Sequence, residues 1–252
     1  MTAHESANVA TPSGPTTIGG SPSRPRMAPH SSMLSAAHEP VLARVAGRYP
    51  RRPRFARHYV SAKLRRDPVH ADLLNLAAGE RFGRVADVGC GWGQISLLLL
   101  EAGLASASIG LDVDGARLAA AEHAGRGLAF TARRQDLAAV PAVPDAQTVL
   151  LIDVLYQLAR PTQAALLAAA SGAARARLIL RTPDPDRRGR AMLSRTLEVA
   201  FRCVWPNSGA RVNPPSVAWI CERLDALGFA VEVAPCWRGT PFANVLVIAR
   251  RR

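Results

Sequence analysis

The stretch Asp87-Val88-Gly89-Cys90-Gly91-Trp92-Gly93 follows an apolar run, RVADV at 84–88, and precedes a helix-forming run, QISLLLLEAG at 94–103. Glycines at alternate positions permit a tight turn. They also let the backbone approach a ligand closely at the positive end of the following helix. The spacing is G-x-G-x-G. A nicotinamide or flavin loop, G-x-G-x-x-G, needs glycine at 94, where Gln94 stands, so that chemistry is disfavoured.

Outward from this loop the chain alternates strand and helix patterns. SASIGLDV (106–113) reads as a second strand and DGARLAAAEHAG (114–125) as its helix. LAFTARR (128–134) is a short third strand. TVLLIDVL (148–155) is continuously apolar, as a strand covered on both faces should be. PTQAALLAAASGAA (161–174) is a helix before a fifth strand, RLILRT (177–182). This succession of strand–helix units predicts a mostly parallel α/β sheet wound with helices on both sides. At the end, VAWICERLDALGF (217–229) is a helix, and FAVEVAPCW (229–237) and ANVLVIAR (243–250) are strands too close for a crossover helix. They must pair antiparallel.

Carboxylates recur at the strand ends. Asp112 closes the second strand about twenty residues after the loop, where it can accept both hydroxyls of a ribose. Asp136 follows the third strand in RRQDL, placed to accept from an adenine amino group. With these three features the chain resembles the class I S-adenosylmethionine-dependent methyltransferases over residues 84–252, most strongly in DVGCGWG. The resemblance implies a Rossmann-like doubly wound fold with an antiparallel final strand and S-adenosyl-L-methionine as cofactor. It further implies that Gly89, Cys90, Gly91 and Gly93 line the methionine and ribose side, and that Asp112 with Val113 holds the ribose. Asp136 and Leu137 would border adenine, and Asp87 and Asp153 would help hold the cofactor.

Methyl transfer chiefly requires alignment of a nucleophile and, where needed, removal of its proton. Three residues are candidates for that work. Tyr156, just past the fourth strand, stands where many small-molecule members of the family carry histidine, and it can orient a substrate oxygen or pack on the cofactor. Asp153 can act as base or as structural acceptor. His58, next to Tyr59 in the N-terminal segment, lies where the family often has a substrate lid. Arg181 should point to the same rim, holding a substrate carboxylate or phenolate or else pairing with Asp184 or Asp186.

Two look-alikes do not fit. Asn213-Pro214-Pro215-Ser216 lacks the final aromatic of the [DN]PP[YF] motif and follows the fifth strand instead of the fourth, so it reads as a turn before a helix starting near Ser216. Pro235-Cys236 resembles the nucleophile pair of RNA cytosine methyltransferases but falls on the sixth strand, where a core or rim thiol is expected.

Longer stretches, HYVSAKLRRDPVHADLL (58–74), RTPDPDRRGR (181–190) and PCWRGTPFANVLVIARR (235–251), are similar to small methyltransferases of bacterial aryl-polyene and related fatty-acid-like pigment gene clusters. That narrower resemblance implies an aromatic or acyl acceptor, small or bound to an acidic acyl carrier protein. The carrier would meet the nine positive charges between Arg44 and Arg66, where no acidic residue occurs.

The rest of the chain bounds these readings. Residues 1–37 are rich in Ser, Pro, Thr and Gly without periodicity, and read as a disordered segment. Residues 38–83 read as an N-terminal helical lid before the cofactor-binding domain. The net charge of +13 raises the alternative of an RNA-directed methyltransferase. Against it, all the positive residues but Lys63 are arginine in an alanine-rich chain, and no RNA-binding module is recognisable. A non-catalytic interaction protein is the other alternative, but it has no reason to retain both loop and ribose aspartate. Four scattered cysteines form no zinc-ligand spacing and suggest reducing cytoplasm. No run is apolar enough to span a membrane.

Overall fold

The computed structural model describes residues 36–50, 54–186 and 213–252. Most of the segment read as disordered, Arg51 and Arg52, Cys203 and the end of RTPDPDRRGR lie outside the described residues.

Three helices come first: α1 (Glu39–Arg48), α2 (Arg54–Arg66) and α3 (Val69–Gly79). Pro50 and Pro68 mark the breaks between them, as a residue without an N–H should. Then follow β1 (Gly83–Val88), α4 (Gln94–Glu101), β2 (Ala105–Asp112), α5 (Gly115–Ala124), β3 (Phe130–Arg134) and β4 (Ala146–Ile152). The chain finishes with α6 (Arg160–Ala173), β5 (Ala174–Pro183), α7 (Val217–Ala226), β6 (Phe229–Pro235) and β7 (Asn244–Arg251). One expected unit differs. Residues 135–145, between β3 and β4, contain no helix, consistent with the two prolines, Pro141 and Pro144, in that stretch.

The seven strands lie in the order β3-β2-β1-β4-β5-β7-β6. β7 pairs antiparallel with both β5 and β6, and every other pairing is parallel. The strand order reverses between β1 and β4, which makes the crevice at their carboxyl ends the place where an open α/β sheet binds ligands. Both strands are buried through their final residues, so neither can shift without exposing aliphatic surface.

Each face of the sheet carries its own apolar cluster. One joins Leu151, Leu166, Leu178 and Phe229, and the other joins Leu73, Phe82, Leu150 and Ile248. A third cluster unites the N-terminal helices with the domain behind the loop. Leu42, Val45, Val60 and Leu64 pack against Leu97 and Leu98 of α4 and Ala124 of α5. Polar bonds reinforce that seam. Arg44 and Arg48 both donate to Glu101, and Arg48 also reaches the carbonyls of Ala124 and Arg126. The Tyr49 hydroxyl donates to the Trp92 carbonyl at 2.6 Å, tying the end of α1 to the glycine loop. Among the described residues, no helix is long and apolar enough to cross a membrane.

Candidate active site

At the end of β1 the chain turns sharply. The N–H groups of Gly89 and Cys90 both donate to the Leu111 carbonyl, at 2.7 and 2.9 Å. Gly89 has φ +75°, and a Cβ there would stand 2.7 Å from Val154 Cγ2, so both conformation and space demand glycine. Gly91 has φ +56° and nothing within 4 Å of where its Cβ would be, which leaves the loop open to a ligand. Its N–H donates to Asp112 Oδ2 at 2.8 Å, while Asp114 N–H donates to Asp112 Oδ1 at 2.9 Å. Each carboxylate oxygen keeps a lone pair for a further donor, such as one of two neighbouring hydroxyls.

Below the loop, Asp87 is buried. Ser96 donates its hydroxyl to Asp87 Oδ2 at 2.8 Å, and Ser108 donates to Ser96 at 2.9 Å. Burial pushes the Asp87 carboxyl up to about 6, against the opposing pull of the Ser96 bonds. Beside it, Gln94 is 6% exposed and its Oε1 has no hydrogen-bond partner among the described residues. Both side chains line a cavity of ≈510 Å³, with Gly91, Asp112, Leu137 and Tyr156 also on its wall. That volume lies within the roughly 300–1,000 Å³ usual for small-ligand sites. An orphaned buried acceptor, a buried carboxylate and a two-oxygen acceptor at one end of such a cavity fit a ligand carrying an ammonium and a ribose.

A second cavity of ≈540 Å³ adjoins the first, and Tyr59, Lys63, Asp153 and Tyr156 line both. Its other walls come from Ala62, Arg66 and Pro68 on one side and Thr240, Phe242 and Asn244 on the other. Under the junction sits Arg181, 3% exposed. Its Nε donates to Asp153 Oδ1 at 2.8 Å and its Nη2 to Asp67 Oδ2 at 2.9 Å, with a second bond to each carboxylate. Lys63 Nζ lies 3.9 Å from Asp153 Oδ2. Burial works against the charge of Asp67, but the Arg181 guanidinium outweighs it and holds the carboxyl well below its usual range. Burial likewise opposes the Lys63 ammonium. Tyr59 and the two carboxylates more than compensate, so it stays protonated. Asp153 has φ +61°, a left-handed backbone uncommon outside glycine, stabilised here by this network.

Most of the expected residues converge. Asp87, Gly89, Cys90, Gly91, Asp112 and Val113 line the first cavity, together with Asp136, Leu137, Asp153 and Tyr156. Gly93 does not line it. It is the left-handed residue preceding α4, where a Cβ would meet Ala121. His58 is not brought to either cavity. Each helical residue turns about a quarter of the way round the axis, so Tyr59 faces the site and His58 faces solvent. Asp153, expected as base or structural acceptor, accepts from Arg181 at both oxygens, the arrangement of a structural acceptor. The expected pairing of Arg181 with Asp184 or Asp186 is replaced by Asp67 and Asp153. Lys63, Asp67 and Gln94 were not singled out for the site from sequence. The one signal was that Lys63 is the chain's single lysine.

The look-alikes are resolved in the same way. Ser216 caps α7 by accepting from Trp219 N–H at 3.2 Å, as a turn before a helix should. Cys236 is buried in the core, where burial pushes its thiol upward and away from reactivity. Among the described residues no group of His, Cys, Asp and Glu is arranged to hold a metal. Part of the positive charge of the N-terminal helices is paired: Arg44 and Arg48 share Glu101, Arg65 meets Glu39, and Lys63 lies beside Asp153.

Comparison with known proteins accords with this geometry. Residues 85–176 match the model of a family described as a methyltransferase domain. By sequence alone, no curated protein matches the chain. In structure it is similar to the magnesium protoporphyrin IX methyltransferase of Synechocystis, crystallised with bound SAH. The two are 23% identical with a TM-score of 0.56, over 73% of this chain and 82% of that one. It is also similar to an S-adenosylmethionine-dependent methyltransferase of Mesorhizobium loti, at 22% identity and TM-score 0.56 over 71% and 96%. An O-methyltransferase family protein of Burkholderia thailandensis gives 17% and 0.52 over 85% and 68%. Residues 85–176, which carry the glycine loop and the strand-end carboxylates, match a methyltransferase domain, and the fold is shared with solved S-adenosylmethionine-dependent methyltransferases.

Proposed function

We propose that the chain transfers a methyl group from S-adenosyl-L-methionine to an aromatic or acyl acceptor, either a small molecule or one presented by an acyl carrier protein. The observation that supports this reading best is the junction: a polar cavity at the glycine loop opens onto a second, more apolar cavity across Tyr59, Lys63, Asp153 and Tyr156. Residues 84–252 are then the cofactor-binding domain and residues 38–83 the helical wall of the acceptor side.

In this assignment Asp112 accepts from the ribose hydroxyls, with Gly89, Cys90, Gly91 and Val113 around them. Asp136 and Leu137 border the adenine. Asp87 and the unpartnered Gln94 Oε1 receive the amino acid end. Bound there, the cofactor would supply a methyl carbon on a positive sulfur: an acceptor lone pair forms the new bond, and the carbon–sulfur pair returns to sulfur. The chain's own contribution is alignment and charge. Tyr156 and Tyr59 orient the acceptor at the junction. The Arg181–Asp153–Lys63 network holds the junction in one geometry, and the proton of a hydroxyl acceptor leaves through the open second cavity.

Thermal unfolding with S-adenosylmethionine, its demethylated product and NADH tests the cofactor, on the native chain and on Asp112→Ala. A ligand at a hundred times its Kd stabilises by about 2.7 kcal/mol. The reading requires this for the first two ligands only, and its loss in the variant. Transfer of a labelled methyl group to aryl acids, free and carrier-bound, then tests the acceptor.

A further inference from the structure

The second cavity joins flat apolar walls to an unbalanced charge. Three cations line it, Lys63, Arg66 and Arg181, against two carboxylates, Asp67 and Asp153. Four of these groups satisfy one another. Arg181 gives four of its five N–H groups to the two carboxylates, and Lys63 stands beside Asp153, so two cations face two anions. Arg66 is left over. It is the last residue of α2, its side chain is exposed at the cavity mouth, and it makes no hydrogen bond or ion pair among the described residues.

The walls indicate what the anion is attached to. Phe242, Pro68 and Ala62 are apolar, and the rings of Tyr59 and Tyr156 stand at the inner end where the cavity meets the cofactor side. Aromatic and proline surfaces favour a flat ligand, which stacks without losing internal freedom. The polar ends are then separated: an anion at Arg66 outside, and the atom to be methylated inside at the junction.

We infer that the second cavity receives an aromatic acid as its free carboxylate, and that Arg66 is the specificity-determining cation that holds it. The assignment of this cavity to the acceptor rests on the methyltransferase reading above. It deepens that reading by choosing between its two alternatives. A carrier-bound acceptor has a thioester where the free acid has its charge, and leaves Arg66 without a partner at that end. The choice of Arg66 over Arg181 follows from the ion pairs, since Arg181 is buried and its charge is already met by Asp67 and Asp153.

The test is calorimetric titration of the full chain with 4-hydroxycinnamate and with its amide, which has the same shape and no charge. Both are run with and without saturating S-adenosylhomocysteine, on the native protein, Arg66→Ala and Arg66→Lys. Arg66 is exposed and unbonded, so the melting temperatures of both variants should match the native one. A charge-assisted contact at a partly solvated site should favour the acid over the amide by about tenfold. Arg66→Ala should abolish that preference, and Arg66→Lys should restore part of it. Equal binding of acid and amide, no binding of either, or a preference that survives in Arg66→Ala overturns the inference. S-adenosylhomocysteine failing to bind would instead remove the cofactor reading, while the acid-to-amide ratio still reports on Arg66. If the product binds and the acid preference is absent, only the inference falls.

Discussion

Replacing Arg181 with Met tests the junction most directly. The guanidinium is 3% exposed and its partners are mostly buried, so the variant keeps the length of the side chain and leaves two carboxylates without their cation. Breaking a buried pair from one side costs about 3–5 kcal/mol, because the remaining charge is uncompensated. In a chain of this size each kcal/mol lowers the melting temperature by ~2–4 °C, so a fall of ~6–20 °C is expected. The pH dependence gives the sign. With Arg181 present, Asp67 titrates below its unfolded value of 3.8, so its contribution is full above that pH and disappears only in strong acid. Without Arg181, burial raises the Asp67 carboxyl against only the smaller pull of Lys63 and His70. The variant should then recover part of its loss between pH 7 and pH 5, as the orphaned carboxylate takes up a proton. Urea unfolding of both proteins at the two pH values measures this; Asp87 cancels in the difference, and a His70→Gln background removes the contribution of His70, which Asp67 and Arg181 both perturb. Asp67→Asn in the Arg181→Met background should likewise recover stability. A loss under ~1 kcal/mol, the same at both pH values, would mean the network behaves as an exposed ion pair and the reasoning is wrong.

Other consequences can be measured separately. His70 is fully buried, and burial pushes it down to about 4 from 6.5, so the folded state refuses a proton that the unfolded chain accepts. Stability should therefore fall as pH drops from 6.5 towards 4, by at most ~3 kcal/mol, and urea midpoints of His70→Gln should lack that slope. Asp87 is shifted the other way, to about 6, so its charged form destabilises the fold above that pH. Asp87→Asn should raise the ligand-free melting temperature at pH 8, by up to ~3 kcal/mol of stability, while weakening S-adenosylhomocysteine binding in the same calorimeter. Gly89→Ala must place a Cβ 2.7 Å from Val154 at φ +75°, and should cost at least ~1–3 kcal/mol by chemical denaturation.

The cofactor side was legible because its signals are local. Glycine spacing, a carboxylate at the end of each strand and an apolar run before it all lie within a few residues of one another, and the parallel sheet then brings them to one edge. The antiparallel β7 was legible too, since no crossover helix fits between Pro235 and Asn244. What sequence could not show was long-range pairing. Arg181 ignores Asp184 and Asp186 and bonds Asp67, 114 residues away, because the α2–α3 corner folds over the ends of β4 and β5. The reach of the Tyr49 hydroxyl to the Trp92 carbonyl has the same origin. His58 illustrates a finer limit. A pattern places a helix on the right side of a site, but one residue of rotation decides that Tyr59 and Lys63 line the cavity and His58 does not.

The two cavities differ in how they handle charge, and the difference bears on specificity. At the glycine loop, charge is left incompletely met: Asp87 is buried with hydrogen bonds from Ser96, and Gln94 Oε1 has no partner among the described residues. Such groups destabilise the empty protein and gain most from a cationic, hydrogen-bonding ligand. At the junction, Arg181, Asp67, Asp153 and Lys63 neutralise one another and gain little from any ligand's charge. Selection among acceptors therefore cannot come from the network. It must come from the shape of the walls around Phe242 and from Arg66, the lining cation that has no counterion among the described residues.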